Sequence, residues 1–437
     1  MTDHVFSSLD QAHAHRLAGD EPAALRLAVA CAKAAPGAPG PIALITRILV
    51  DQDRTFVGAE VAQRLVDAFI RRGDLPSAVV ATTLALDAGE DPKPLLERVA
   101  KAFAQGSPRV GEGTPAPPPF PHVPPLSPAL AQLSGDALIE QAEAALTLYL
   151  ASDDPLPADA PLPLLPLFGA LSKDALTQLL ATIRVEEVSG ESEIVRQGDL
   201  GNEAFVVARG LLKVVRREGG DETLLAQLGP GAIFGEMALM SEAPRSASVV
   251  ALEPMQLLVL ERTELERVAA QAPELGAELS AFCHARMATN LIRHARVLSS
   301  LPIESRGELL KVLPSRVFDP GETLISRGQV AHHIYLIASG SVSVSVPEGD
   351  DRLVLATLGP GNVVGEIAFI LRRAASADVI AQHPTVAYEL SEDALRKLMR
   401  SYPGLLIELY ELATRRDDEI RAAEEHEAAE TDDSIFV

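Results

Sequence analysis

The spacing of apolar residues changes character along the chain. Over residues 4–105, alanine and leucine recur at intervals of three and four, which predicts helices throughout. From about residue 165, short apolar runs separated by glycine-containing turns predict strands. Further helices are predicted at 134–150, 173–183, 262–270 and 274–298, and examples of the predicted strands are 204–207, 211–216, 223–227 and 248–252.

Glycine and proline divide the first region into helices, with breaks predicted at 18–20, 36–41, 72–74 and 89–92. Two breaks share one order, Gly19-Asp20-Glu21-Pro22 and Gly73-Asp74-Leu75-Pro76. Glycine can end one helix, aspartate can cap the next, and proline sits where no amide proton is needed. The pattern resembles the helical hairpins of tetratricopeptide repeats, although these breaks lie 54 residues apart and not 34. The resemblance implies a surface for docking a protein partner; a plain helical bundle is the alternative.

Proline is concentrated between residues 106 and 131, around Pro115-Ala-Pro-Pro-Pro-Phe-Pro121. Such a segment cannot bury a core, so we expect an extended linker rather than a docking peptide. A second proline-rich hinge reaches Pro166.

The chain then repeats itself at a shift of 130 residues, without gaps. Leu228-Gly-Pro-Gly231 returns as Leu358-Gly-Pro-Gly361, and Ser246-Ala247 returns as Ser376-Ala377. Because the offset holds over about a hundred residues, it indicates a duplicated domain of about eight strands, an antiparallel jelly roll closed by helices. The predicted fold class is α+β and multidomain: two tandem antiparallel β-rolls with flanking helices, preceded by an all-α helical-hairpin domain. The predicted bounds are 1–105 for the helical domain, 106–164 for the linker, 165–298 and 299–411 for the two rolls, and 412–437 for an acidic tail.

One loop of the first copy, Phe234 to Val249, carries candidate chemistry. Gly235 allows the backbone to approach a ligand, and Glu236 begins a helical turn whose free N–H groups suit an anion. Arg245, after Pro244, can hold phosphate oxygens through two parallel hydrogen bonds. A carboxylate beside a phosphate must contact another group, and a ribose hydroxyl is the natural choice.

This segment resembles the phosphate-binding cassette of the cyclic nucleotide-binding domain family, which includes protein kinase A regulatory subunits and bacterial catabolite activators. The resemblance implies that Glu236 takes the ribose 2′-hydroxyl and Arg245 the exocyclic phosphate oxygens. The implied first site is Gly235, Glu236, Met237, Ala238, Arg245, Ser246 and Ala247. Its ligand would be cyclic AMP or cyclic GMP; the Ser246 hydroxyl leaves both open, and we expect cyclic AMP.

The second copy departs from this pattern. Glu366 corresponds to Glu236, but Ala374 and Ala375 replace Pro244 and Arg245. Losing a charged hydrogen-bond partner costs about 1.5–3 kcal/mol. We therefore expect a degenerate second site at Gly365, Glu366, Ala375 and Ser376, either empty or binding something different. Glu366 would face a bound phosphate without a nearby cation. Arg372 and Arg373 could swing toward the site, but we expect them to point to solvent.

Charge and cysteine content narrow the function classes. A formal charge of −23 disfavours nucleic acid as a partner, and the acidic stretch 417–433 lacks a DNA-reading module. Cys31 and Cys283 form neither a disulfide framework nor a zinc pattern. With no signal peptide and no membrane span in the sequence, we expect a cytoplasmic protein. No catalytic or metal-binding constellation is found, so we expect neither an enzyme nor a metal site.

The predicted function is a cyclic-nucleotide-responsive regulatory protein that binds its ligand in the first roll and engages a protein partner through the N-terminal helices. One alternative is a ligand-independent interaction scaffold. Another is a regulatory subunit of a separate catalytic chain, although the Arg-Arg-x-Ser/Ala inhibitor segment of kinase A regulatory subunits is not found between 106 and 165.

Overall fold

The computed structural model describes most of the chain. The described residues are 7–54, 58–111, 126–159, 161–163, 165, 167–218, 221–239, 244–330, 332–348 and 351–433. Most of the proline-rich stretch, residues 112–125, lies outside them.

The N-terminal region is helical, as predicted. Its helices are α1 (Ser8–Leu17), α2 (Glu21–Ala34), α3 (Pro39–Asp51), α4 (Gly58–Arg71), α5 (Leu75–Asp87) and α6 (Lys93–Phe103). The two Gly-Asp breaks work as their chemistry predicts. The side chain of Asp20 accepts a hydrogen bond from the Ala23 amide at 3.1 Å, and that of Asp74 accepts one from the Ser77 amide at 3.0 Å. The break between α3 and α4 was not anticipated from the sequence.

Short elements connect this region to the first roll. They are β1 (Val110–Gly111), α7 (Pro128–Ala131), α8 (Asp136–Ala151) and β2 (Leu162–Pro163). The two short strands pair in parallel, Val110 with Leu162. Helix α8 was predicted, at 134–150.

The first roll begins with α9 (Lys173–Leu180) and continues through eight strands. These are β3 (Arg184–Val188), β4 (Glu193–Val195), β5 (Glu203–Arg209), β6 (Leu212–Glu218), β7 (Asp221–Leu228), β8 (Ile233–Phe234), β9 (Ser248–Ala251) and β10 (Met255–Glu261). They form two four-stranded antiparallel sheets, ordered β3-β10-β5-β8 and β4-β9-β6-β7. Between them lies an apolar core that includes Val207, Leu212 and Leu257.

Helices α10 (Arg262–Ala269), α11 (Pro273–His294) and α12 (Ile303–Val312) lead into the second roll. Its strands are β11 (Ser315–Phe318), β12 (Thr323–Ile325), β13 (His333–Ser339), β14 (Val342–Glu348), β15 (Asp351–Leu358), β16 (Val363–Val364), β17 (Asp378–Ala381) and β18 (Thr385–Ser391). The sheets run β11-β18-β13-β16 and β12-β17-β14-β15, the order of the first roll shifted by eight strands. The two tandem antiparallel rolls are therefore confirmed.

The second roll contains one short helix within it and is followed by two more. The short helix α13 (Glu366–Ile370) lies between β16 and β17, and α14 (Glu392–Ser401) follows the last strand. Helix α15 then runs from Pro403 to Asp433. The segment 412–433, predicted as an acidic tail, is thus the continuation of a helix that starts beside the roll.

The chain divides into two compact units. The first comprises residues 1–197, 202–236 and 247–280, and the second 198–201, 237–246 and 281–437. The N-terminal helices and most of the first roll share the first unit. The domain bounds proposed from the sequence remain predictions.

Ion pairs join the N-terminal helices to the first roll within the first unit. Arg209, at the end of β5, pairs with Asp10 of α1, and Arg16 of α1 pairs with Glu187 of β3. His13 lies on the same helix and is buried. Burial, followed by the positive charges of Arg209 and Arg16, lowers the pKa of His13 well below its ordinary value of 6.5.

This buried histidine predicts a pH-dependent stability. Below about pH 6.5 the unfolded chain binds a proton at His13 that the folded chain excludes, so acidification destabilises the fold by up to about 1.4 kcal/mol per pH unit. We expect His13→Gln to lose part of this dependence when urea unfolding is compared at about pH 7.5 and pH 5.5. Parallel pH profiles for the two proteins would contradict the assignment.

Candidate functional site

The first cassette begins where β8 ends. Gly235 has a φ of +74°, a left-handed conformation that favours glycine. Glu236 opens a short 3₁₀ turn, Glu236–Leu239, and only 4% of its surface is exposed. A glutamate is almost never fully buried unless its carboxylate is paired. The burial of Glu236 therefore indicates a specific role for this side chain. Residues 240–243 of the cassette lie outside the described part of the chain.

Arg245 is held by its backbone. Its carbonyl accepts a hydrogen bond from the Gly198 amide, and its own amide donates to the Asp199 carbonyl, both at 2.9 Å. The guanidinium lies against Gly201, where an added Cβ would stand 2.5 Å from Nη2. The absence of a side chain at Gly201 therefore creates the space that the guanidinium fills. Sequence reasoning did not find Gly201.

The remaining cassette residues are divided between buried and exposed positions. Ala238 and Ala247 are buried, and Ser246 is exposed. Met237 is partly buried and packs against an apolar cluster that includes Met287 and Leu291 of α11. Glu236 belongs to the first compact unit, whereas Met237 and Arg245 belong to the second.

The second cassette keeps the backbone of the first. The Gly328 amide donates to the Ala375 carbonyl, and the Ala375 amide donates to the Gln329 carbonyl, again at 2.9 Å. Gly365, with a φ of +90°, precedes Glu366 as Gly235 precedes Glu236. Ala375 thus occupies the backbone position of Arg245 without its charge.

A cavity of about 350 Å³ lies in the second roll. It brings together all four residues of the predicted second site, Gly365, Glu366, Ala375 and Ser376. Most of its other lining is apolar, contributed by the strands and by Ile420 of α15.

Glu366 has a cation, contrary to the expectation from sequence. Only 2% of Glu366 is exposed, and its Oε1 accepts a hydrogen bond from Nη1 of Arg416 at 2.7 Å. The same guanidinium donates to the Val363 carbonyl at 2.6 Å and to Oδ1 of Asn362 at 3.3 Å. The expectation was wrong because Arg416 lies fifty residues beyond Glu366, on α15, and the repeat carries no signal of that contact.

Arg373 was also expected to point to solvent, and it does not. It pairs with Asp417 on α15, and Asp417 in turn pairs with Arg421 at 3.2 Å. Arg372 is exposed, as expected. Two neighbouring residues of α15, Arg416 and Asp417, therefore tie this helix to the cassette loop of the second roll.

The part of the chain that the structure describes has neither a metal-ligand cluster nor a membrane-spanning helix. No cluster of three or more His, Cys, Asp or Glu side chains there could hold a metal ion. No helix there is both long and apolar enough to cross a membrane.

Comparison with known proteins identifies the rolls. Residues 185–272 and 315–402 each match the family model of the cyclic nucleotide-binding domain. Both rolls are therefore members of the cyclic nucleotide-binding domain family, arranged in tandem.

The tandem resembles particular regulatory proteins. The chain is 30% identical over 235 residues to a cAMP-dependent protein kinase regulatory subunit of Yarrowia lipolytica, covering 53% of this chain and 58% of that protein. It is 30% identical over 215 residues to a cAMP-dependent protein kinase type II regulatory subunit of Drosophila melanogaster, covering 49% and 54% respectively. The chain thus spans little more than half the length of these relatives.

Among solved structures, the regulatory domain of Toxoplasma gondii PKA with cAMP is similar, with 22% identity and a TM-score of 0.27. The match covers 57% of this chain and 92% of that one.

The Glu366–Arg416 pair predicts a specific cost for losing the cation. Arg416→Met keeps the aliphatic stem but leaves a buried carboxylate without its partner, which should destabilise the second unit by about 1.5–3 kcal/mol in urea unfolding. The neighbouring Arg415 is the matched control because its side chain is 62% exposed and makes only a long ion pair, with Nε 3.9 Å from Oε1 of Glu419. Arg415→Met should cost less than about 0.5 kcal/mol. Equal losses for the two variants would contradict a stabilising role for the buried pair.

Proposed function

We propose that this protein is a non-enzymatic regulatory protein that binds a cyclic nucleotide in its first roll, with cyclic AMP as the ligand. Glu236 would accept the ribose 2′-hydroxyl, and Arg245 would hold the exocyclic phosphate oxygens. Gly235, Met237, Ala238, Ser246 and Ala247 would complete the site.

The observation that carries this proposal is the placement of Arg245. Two backbone hydrogen bonds fix its position in the loop, and Gly201 leaves room for its guanidinium. A pre-positioned guanidinium offers a planar pair of donors that matches phosphate oxygens. This arrangement occurs within a domain that matches the cyclic nucleotide-binding family, between residues 185 and 272.

We infer that occupancy would be transmitted through the cassette. Segments 198–201 and 237–246, which include Arg245, group with the second compact unit, and Met237 packs against residues of α11. A ligand that shifts the cassette would therefore act on groups packed with that unit. Such a shift requires different affinities for two arrangements of the protein.

The proposal extends to location and partners. We place the protein in the cytoplasm, with neither nucleic acid nor membrane as a partner. The N-terminal helices would dock a protein partner, and the ion pairs Arg209–Asp10 and Arg16–Glu187 connect these helices to the first roll.

A second candidate is a regulatory subunit of a separate catalytic chain. It is favoured by the similarity to relatives that are regulatory subunits of cAMP-dependent protein kinases. Affinity capture of the full chain with and without cyclic AMP would test it, since a catalytic partner should be retained in one condition and released in the other.

We expect calorimetry to detect cyclic AMP binding that depends on Arg245. Arg245→Ala removes the charged phosphate contact and should weaken binding roughly ten- to a hundredfold. Arg267→Ala is the control, because Arg267 lies on α10, is 57% exposed and pairs with Glu264; its affinity should match wild type. If wild type gives no heat with either cyclic AMP or cyclic GMP, the ligand-independent scaffold is the better description.

Gly201→Ala provides an independent test of the arginine's position. The added methyl group would displace the guanidinium, so cyclic AMP affinity should fall about tenfold while Arg245 itself is retained. Gly229→Ala is the matched control, because a methyl group there meets only Leu211, at 3.7 Å. Unchanged affinity in Gly201→Ala would contradict the assigned geometry.

A further inference from the structure

The cavity of the second roll retains the size of a ligand site. Its volume of about 350 Å³ falls within the range of pockets that enclose small organic molecules. The lining is mainly apolar, with polar groups at a few points, which is the usual composition of such sites. A cavity of this kind is suited to a ring system or another compact apolar body.

The charges around the cavity disfavour an anion. Its charged lining residues are Glu366, Glu419 and Arg416, two carboxylates and one guanidinium. Arg416 is already occupied by Glu366, Val363 and Asn362. The position that carries arginine in the first roll is Ala375, so no lining group of the cavity duplicates the phosphate contact.

The carboxylate of Glu366 can accept a further hydrogen bond inside the cavity. Arg416 binds Oε1 of Glu366, and this contact leaves the other carboxylate oxygen of the buried side chain, Oε2, unused. A carboxylate oxygen in an apolar cavity favours a ligand that donates hydrogen bonds, such as one with hydroxyl groups. The Ser376 hydroxyl lines the same cavity.

We propose that the second cavity binds an uncharged ribonucleoside: a planar ring whose faces pack on apolar side chains, with ribose hydroxyl groups that donate to Glu366. This inference rests on the proposed function in one respect, that the cavity derives from a duplicated nucleotide site. The duplication supplies the carboxylate that receives the ribose, and Ala375 removes the cation that would receive the phosphate.

A pair of probes that differ mainly in charge tests the proposal. Adenosine and cyclic AMP share a base and a ribose, but only cyclic AMP is an anion. The full chain carrying Arg245→Ala, which weakens the first site, is titrated with adenosine, guanosine and cyclic AMP by calorimetry. We expect one equivalent of adenosine or guanosine to bind, at least about tenfold more tightly than cyclic AMP. The proposal is overturned if neither nucleoside binds up to about 1 mM, or if cyclic AMP binds equally well.

The same background identifies the binding group and separates this site from the first one. Glu366→Gln should weaken nucleoside binding roughly ten- to a hundredfold. Glu392→Gln is the control, since Glu392 lies at the start of α14 and pairs with Arg396 on the surface. An unchanged affinity in Glu366→Gln overturns the proposal. If the wild-type chain did not bind cyclic AMP, that result would count against the proposed function of the first roll. It would not affect the nucleoside result for the second roll.

A gain-of-function variant guards against a Glu366→Gln chain that fails to fold. By the shift of 130 residues, Arg245 corresponds to Ala375. Ala375→Arg would restore to the second cavity the guanidinium that the first roll carries. In the Arg245→Ala background this variant should bind cyclic AMP at least about tenfold more tightly than its parent. No gain in cyclic AMP binding would overturn the view that the missing cation makes the second cavity selective for uncharged ligands.

Discussion

A carboxylate buried in an apolar roll requires a positive partner, and the architecture of the second unit follows from how Glu366 obtains one. Desolvating an unpaired charge costs several kcal/mol, so the fold must bring a cation to it. The cassette no longer supplies that cation. Arg416 does so from α15, and in doing so it fixes where this helix lies against the roll. The same contact limits the chemistry of the cavity, because Arg416 carries the one guanidinium among the described residues that line it.

The two rolls show which parts of a binding loop can change separately. Strand order, the left-handed glycine before the glutamate and the pair of backbone bonds at residue 245 or 375 are common to both copies. These features belong to the scaffold of the loop. The side chain at 245 or 375 and the residue at 201 or 331 differ together, from Arg and Gly to Ala and Ala. In the first roll, the guanidinium of Arg245 fits because Gly201 lacks a side chain.

Much of the fold could be predicted because its signals are local or repeated. The caps at Asp20 and Asp74 depend on four adjacent residues, and the second roll follows from an offset that any reader of the sequence can measure. The sites were harder to predict. Comparing the copies showed that Ala375 had lost an arginine, but nothing in the repeat indicates which distant residue would neutralise Glu366. Arg416 lies in a mostly acidic stretch, where the local composition suggests a solvated tail rather than a structural contact. Gly201 was detectable in principle, since the same offset pairs it with Ala331.

The position of Arg416 also affects which fragments of this protein can fold on their own. The family match ends at residue 402, and a fragment ending there contains all the residues of that match. That fragment would retain Glu366 in its apolar surroundings and discard the helix that neutralises it. Recombinant versions of the second roll should therefore extend at least through residue 421, which keeps Arg416, Asp417 and Arg421 together.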